Sequence, residues 1–374
     1  MATTAVATGA AQTVKKYLEK LLASEVEKKM TLKQFMGNNA EYAIQKLDAL
    51  AKGKGDAVNY QIRFKLQGNG VVGDETLEGN EEVINVSNDS VVITQLRNAA
   101  GKHSRMTAKR TYVDYTTDTI DLLSTWFGEW CDEALFIYLA GVRGTNDLAG
   151  KFVAGWAGHA GNALATPDAN HLRYCTDSGL SSTIGDMNDT LDVLHLDLAN
   201  VTIKELQNTS GNAGMRKVRF GSRPKFLFIV SPRQRVHMMQ TNASNLFEKI
   251  NIGKIQGGNT TDYIFDDGID YTDFAIYENV NIRRIATTDY TGIDSGMTAV
   301  HRALILGAQA GVVAYGDSNG GFDNIQVDSE TFDYGNMRAY AGAAILGMKK
   351  VRFNDPAGTA RDLGVFCLDS QAES

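Results

Sequence analysis

By type and spacing, the residues of this chain that most resemble a chemical site are the glycines of GNGVVG, Gly68 to Gly73, a match to G-x-G-x-x-G. That pattern cradles a pyrophosphate when a strand precedes it and a helix starts inside it, so that the N-terminal N–H groups of the helix face the anion. A strand-like run does precede it: in VNYQIRFKL, Tyr60, Ile62, Phe64 and Leu66 alternate with Asn59, Gln61, Arg63 and Lys65. The residues that follow do not fit. Asp74, Glu75, Glu78, Glu81 and Glu82 come next, without a helical apolar period, and their carboxylates would repel a diphosphate. Gly68, Gly70 and Gly73 therefore read as the flexible tip of a long hairpin.

The other candidates also lack a pattern. His103, His159, His171, His195, His237 and His301 show no metal-ligand spacing, and Cys131, Cys175 and Cys367 form neither a disulfide framework nor a zinc pattern. There is no G-x-S-x-G, P-loop or H-E-x-x-H. Asp266 and Asp267 sit in no calcium-loop period. The expectation is a protein without cofactor or metal, and no enzyme.

The elements around these residues explain what the chain could build instead. Its 374 residues suffice for one large or two ordinary domains, and 43% apolar residues supply a core. A net charge of -7 disfavours a surface made to coat nucleic acid. No run reaches the ~18 apolar residues of a membrane span, and the N-terminus lacks the pattern of a secretory leader. Val14 to Asp48 predicts an amphipathic helix, broken near Gly37-Asn38-Asn39. The hairpin follows, its return made of two alternating pieces around Ile84 and Val86, then Val91 and Ile93. A basic run comes next, with Arg97, Arg105, Lys109 and Arg110. Thr116 to Leu139 predicts a long helix whose buried stripe includes Trp126, Phe127 and Trp130. Beyond a glycine-rich, irregular stretch, helices are expected at 187–207 and 232–239. Strands are expected at 225–230, 274–277, 303–315 and 363–368, and within FDYGNMRAYAGAAILGMKKVRF. This order is α+β, not the regular alternation of a doubly wound sheet.

An apolar arm and a polar hairpin cannot bury themselves, and an isolated two-stranded ribbon is marginal in water. Neighbouring copies of the chain would cover both. The acidic tip and the basic run offer complementary charge between copies, setting register more than strength.

Four stretches together carry a resemblance: GNGVVGDETLEGNEE, LLSTWFGEWCDEALFIYLAGVRG, ALILGAQAGVVAYG and FDYGNMRAYAGAAILGMKKVRF. From about residue 50 onward the chain resembles the major capsid proteins of tailed bacteriophages, most closely the N4-type group. The resemblance implies the HK97-like capsid fold: an N-terminal arm (1–52), an extended loop (53–96), a peripheral domain with a spine helix (97–186), an axial domain (187–328) and closing peripheral strands (329–374). It implies self-assembly into hexamers and pentamers that close an icosahedral virion capsid around double-stranded DNA, in the host bacterial cytoplasm. Scaffolding, portal and decoration proteins would be further partners, and no membrane. An encapsulin-like compartment or another virion structural protein is the alternative.

Overall fold

The computed structural model describes residues 22–371 except 23–24, 27–28, 49–53, 64–65, 67, 75, 85, 113–114, 146–150, 154, 177–178, 183–189, 207–213, 221–222, 241–268, 287–298, 317–324 and 356–357. The first part of the expected arm, and Glu75, lie outside the described residues.

The centre of the fold is the helix Tyr115–Ala140. Its apolar residues recur every three to four positions, and no proline interrupts them. Its first half still shows Asp118, Asp121 and Leu122 to solvent, whereas everything from Trp130 to Ala140 is buried. Gly141 ends it with φ of +70° and donates its N–H to Ile137 O at 2.9 Å, a left-handed terminus that favours glycine. A Cβ there would also lie 2.2 Å from Ala165 O.

Two sheets pack around this helix. The first is built on the long strand Met337–Lys350. Antiparallel to it run Gln326–Phe332, Gly311–Tyr315, Thr94–Ala99 and the short His103–Ser104. Ile44–Leu47 adds parallel to Gly311–Tyr315. The second sheet joins Arg223–Val230, Phe274–Glu278, Ala299–Leu306, Val365–Gln371 and Leu172–Thr176, with shorter strands at its margins. One apolar core, including Phe127, Phe136, Leu304, Val313, Leu346 and Cys367, runs from the helix into both sheets. The hairpin pairs Ala57–Arg63 with Val86–Val92, and Val58 and Val91 at its root pack with Val312, Ala314, Val351 and Phe353.

Buried ion pairs tie distant segments together. Arg302 grips Asp369 through Nε–Oδ1 (2.8 Å) and Nη2–Oδ2 (2.7 Å), and its Nη1 donates to Ala140 O (2.9 Å) at the negative end of the long helix. Arg283, fully buried, reaches Glu133 Oε1 at 3.0 Å.

Four expectations need correction. The helix expected over Val14–Asp48 does not extend past Lys29 in the described residues. A single 3₁₀ turn, Leu32–Phe35, and the strands Met36–Gly37 and Ile44–Leu47 follow. The open edge beside Gly311–Tyr315 decides the state of Ile44–Leu47 against its local preference. The hairpin return ends at Val92, and Thr94–Ala99 leaves it to pair with the long strand. The apolar run 303–315 is two strands in different sheets, Ala299–Leu306 and Gly311–Tyr315. Trp126, expected in the core stripe with Phe127 and Trp130, is only half-buried. Phe127 and Trp130 face inward and Trp126 packs at the rim.

Candidate inter-subunit surfaces

The root of the hairpin is held from several sides. Tyr60 donates its hydroxyl to Asp89 Oδ2 (2.6 Å), Lys349 of the long strand pairs with Asp89 Oδ1, and the same ammonium donates to Ser90 O (3.2 Å). Burial and the facing Asp89 carboxylate push the Tyr60 pKa far up, so it stays a donor. Ser87 Oγ accepts the Asn354 N–H at 3.0 Å. Glycine allows the closest approach: a Cβ on Gly347 would lie 2.1 Å from Val92 O.

The tip has the opposite character. Gly70 and Gly73 have φ of +65° and +75°, with nothing within 4 Å of an added Cβ. No helix starts there, so the geometry of a pyrophosphate turn is not formed among the described residues. Glu82 Oε2 accepts the Gly68 N–H at 2.6 Å and closes the base of the tip, and Glu81 accepts from Gly79 at 2.9 Å. Asp74 and Glu78 are exposed. Apolar side chains are bare on the same loop: Val72 is 80% exposed and Val83 75%, with Leu66, Leu77 and Ile84 similar. These large apolar side chains are exposed together on one loop, which is the composition of a candidate contact surface.

The basic run forms the short helix Arg105–Arg110, capped by Ser104, whose Oγ accepts the Thr107 N–H at 3.2 Å. Arg105, Lys109 and Arg110 are exposed on it, and Arg97 is exposed on the strand before it. Lys102 lies 3.8 Å over the Phe332 ring.

The arm meets the long helix at Gly128, where a Cβ would come within 3.2 Å of Val26 O. Lys29 Nζ donates to Asp121 Oδ1 (2.6 Å), Thr125 Oγ1 (2.7 Å) and Ser124 Oγ (3.1 Å). Asp132 completes the latch by accepting from Thr31 Oγ1 (2.6 Å), Leu32 N (3.0 Å) and Asn281 Nδ2 (3.1 Å). Burial raises the pKa of its carboxyl, and these hydrogen bonds oppose that shift. The three cysteines are buried and form no disulfide, and burial pushes the Cys367 thiol up to about 12, out of reach of nucleophilic work.

Sequence reasoning missed the segment GHAGN at 158–162, which links the hairpin root to the long helix. Asn162 is buried and hydrogen-bonds to Val92, 70 residues away. The only signal was its glycine-rich turn chemistry.

Solved structures place this architecture. The chain is similar to the capsid of Ralstonia phage GP4, with 30% identity over 91% of this chain and 90% of that one and a TM-score of 0.78. It shares the fold of the Cyanophage Pam1 capsid asymmetric unit at 18% identity, covering 91% of this chain and 92% of that one, with a TM-score of 0.67. The fold is the HK97-like phage capsid fold. The chain belongs to the phage capsid protein family, which it matches over residues 5–374. It is thus a subunit of a phage capsid shell. A major capsid protein of Pseudomonas phage KPP25 is 33% identical over 112 residues, a match spanning 30% of each chain.

Proposed function

We propose that the chain is the major capsid protein of a tailed phage. Its copies gather as hexamers and pentamers and close an icosahedral shell around double-stranded DNA in the host cytoplasm. Scaffolding, portal and decoration proteins are its further partners, and it catalyses no reaction. In this reading the chain divides into arm (1–52), extended loop (53–96), peripheral domain (97–186 and 329–374) and axial domain (187–328). Gly311–Tyr315 belongs to the first sheet and Val365–Gln371 to the second, so the chain passes from the second sheet to the first after Leu306 and returns to the second at Val365.

The observation that carries the assembly reading is the hairpin, anchored at its root and bare of its own subunit at its apolar tip. In this reading the tip, with Gly68, Gly70, Gly73, Asp74, Glu75, Glu78, Glu81 and Glu82, lies across a neighbouring subunit. It meets Arg97, Arg105, Lys109 and Arg110 there. Each exposed ion pair contributes only about 0–1 kcal/mol, so burying Val72, Leu77 and Val83 against the neighbour supplies the strength and the charges the register. Repetition over many subunits turns weak contacts into a stable wall.

Negative-stain electron microscopy tests this on the protein expressed alone and with a scaffolding partner. Closed, thin-walled particles are expected, and monomers under both conditions would overturn the reading. Deleting Gly68 to Asn80 should leave a folded, soluble subunit that closes no shells. Shells of normal size from that deletion would refute the role of the loop.

A further inference from the structure

The fold leaves one question open about the hairpin: what fixes its inclination to the body. The ribbon is only two strands wide, so its direction depends on contacts at the root. Lys349 and Ser87 tie its faces to the long strand and to Asn354. The outer edge of its last residue, Val92, is met by neither. There a single side chain acts in place of a strand. Asn162 Oδ1 accepts the Val92 N–H at 3.0 Å, and Asn162 Nδ2 donates to Val92 O at 2.8 Å. One amide thus satisfies both backbone groups of Val92, as a neighbouring strand residue would.

The support behind this amide is fastened at several points. The Asn162 carbonyl accepts the Tyr138 hydroxyl at 3.0 Å, and that hydroxyl also accepts the His159 N–H at 2.6 Å, so the turn is fastened to the last buried turn of the long helix. Its backbone runs through positive φ at Gly158 (+131°), Ala160 (+61°) and Gly161 (+76°). Left-handed alanine is strained, and such strain persists only where surroundings over-determine it. At Gly158 a Cβ would lie 1.9 Å from Asn162 O. Trp130 stacks on Phe152 with centroids 5.5 Å apart, and Trp156 meets Phe152 and Tyr138 edge to face at 4.7 and 5.7 Å.

We infer that Asn162 is the positioning residue of the extended loop: its amide clasps Val92 and sets the angle at which the loop leaves the subunit, and with it the curvature at which copies close. The inference rests on the reading of the hairpin as an inter-subunit loop. A helix 26 residues long and a strand of 14 form the frame to which the turn is fixed. A small change at the clasp is multiplied along the hairpin to its tip.

Full-length wild-type, Asn162→Ala and Asn162→Asp chains test it by two measurements. Amide exchange is followed by mass spectrometry on the soluble subunit, in peptides covering 86–99, 225–230 and 365–371. Particle diameters are measured by electron microscopy. Asn162→Ala should speed exchange in 86–92 by about tenfold, leave 225–230 and 365–371 unchanged, and give particles of scattered diameter or open sheets. Asn162→Asp keeps an acceptor for the Val92 N–H but sets a carboxylate against the Val92 carbonyl. It should retain more amide protection than alanine and still scatter the diameters. Unchanged exchange in 86–92 would overturn the clasp, as would equal acceleration in all three peptides. Wild-type diameters despite fast exchange would overturn its role in curvature. If Asn162→Ala gives no soluble subunit, Asn162→Asp decides by the same criteria. If the wild type forms no shells either alone or with a scaffolding partner, the inter-subunit reading falls, and the exchange contrast alone decides the clasp.

Discussion

Replacing Phe127 by alanine removes the side chain on which the long helix and the long strand meet. Phe127 is fully buried, and its Cε2 would lie 2.7 Å from a Cβ on Gly342, so the ring rests on bare backbone. It also meets Trp126 edge to face, with centroids 5.0 Å apart. Truncating such a ring costs about 3–5 kcal/mol, through lost transfer energy and the cavity left between two elements too rigid to collapse. The edge-to-face pair accounts for about 1 kcal/mol of that. Half-buried Trp126 should lose less on the same truncation, about 1–2 kcal/mol, although its side chain is larger. Urea unfolding of the soluble subunit measures both at a common m-value. A cycle with Gly342→Ala sharpens the test. That methyl should destabilise the wild type by about 1–3 kcal/mol through overpacking, and far less once the ring is gone. A Phe127→Ala loss below about 1 kcal/mol, or strict additivity in the cycle, would refute the packing argument.

Arg302→Met leaves Asp369 buried without its guanidinium and takes a donor from Ala140 O. A loss of about 3–5 kcal/mol is expected by the same denaturation, and a neutral result would mean that the pair contributes nothing. Asp168 gives a pH dependence. Burial would raise its pKa, but His171, 2.7 Å away, and the N–H groups of His171 and Asp362 outweigh that and hold the carboxyl at about 2. A depressed folded pKa contributes stability above the ordinary carboxylate range, and that stability is lost as pH falls towards about 2. Asp168→Asn should remove this part of the acid sensitivity, and identical stability-against-pH curves for the two chains would show that the site does not titrate in this way.

The fate of particular residues shows how far sequence reasoning reaches. The helix Tyr115–Ala140 was legible to within a residue at each end, because a stripe at helical spacing, the lack of proline and a terminal glycine are local facts. The hairpin was legible as alternation, and its acidic glycine tip ruled itself out as a nucleotide turn by charge. Ile44–Leu47 was not legible: its strand state comes from pairing with Gly311–Tyr315, more than 260 residues along the chain. Trp126 and Phe127 are equally apolar neighbours. Only the arm and Gly342, packed on one side of the helix, decide which of them turns inward. Asn162 carries no motif, because an amide that completes a distant strand needs nothing of its own sequence but a turn that presents it. The sequence by itself determined the elements with local periods and the chain's need for neighbouring copies. The tertiary structure alone decided which edges are completed, which rings are buried and how the loop is held, since those depend on contacts between segments far apart in the chain.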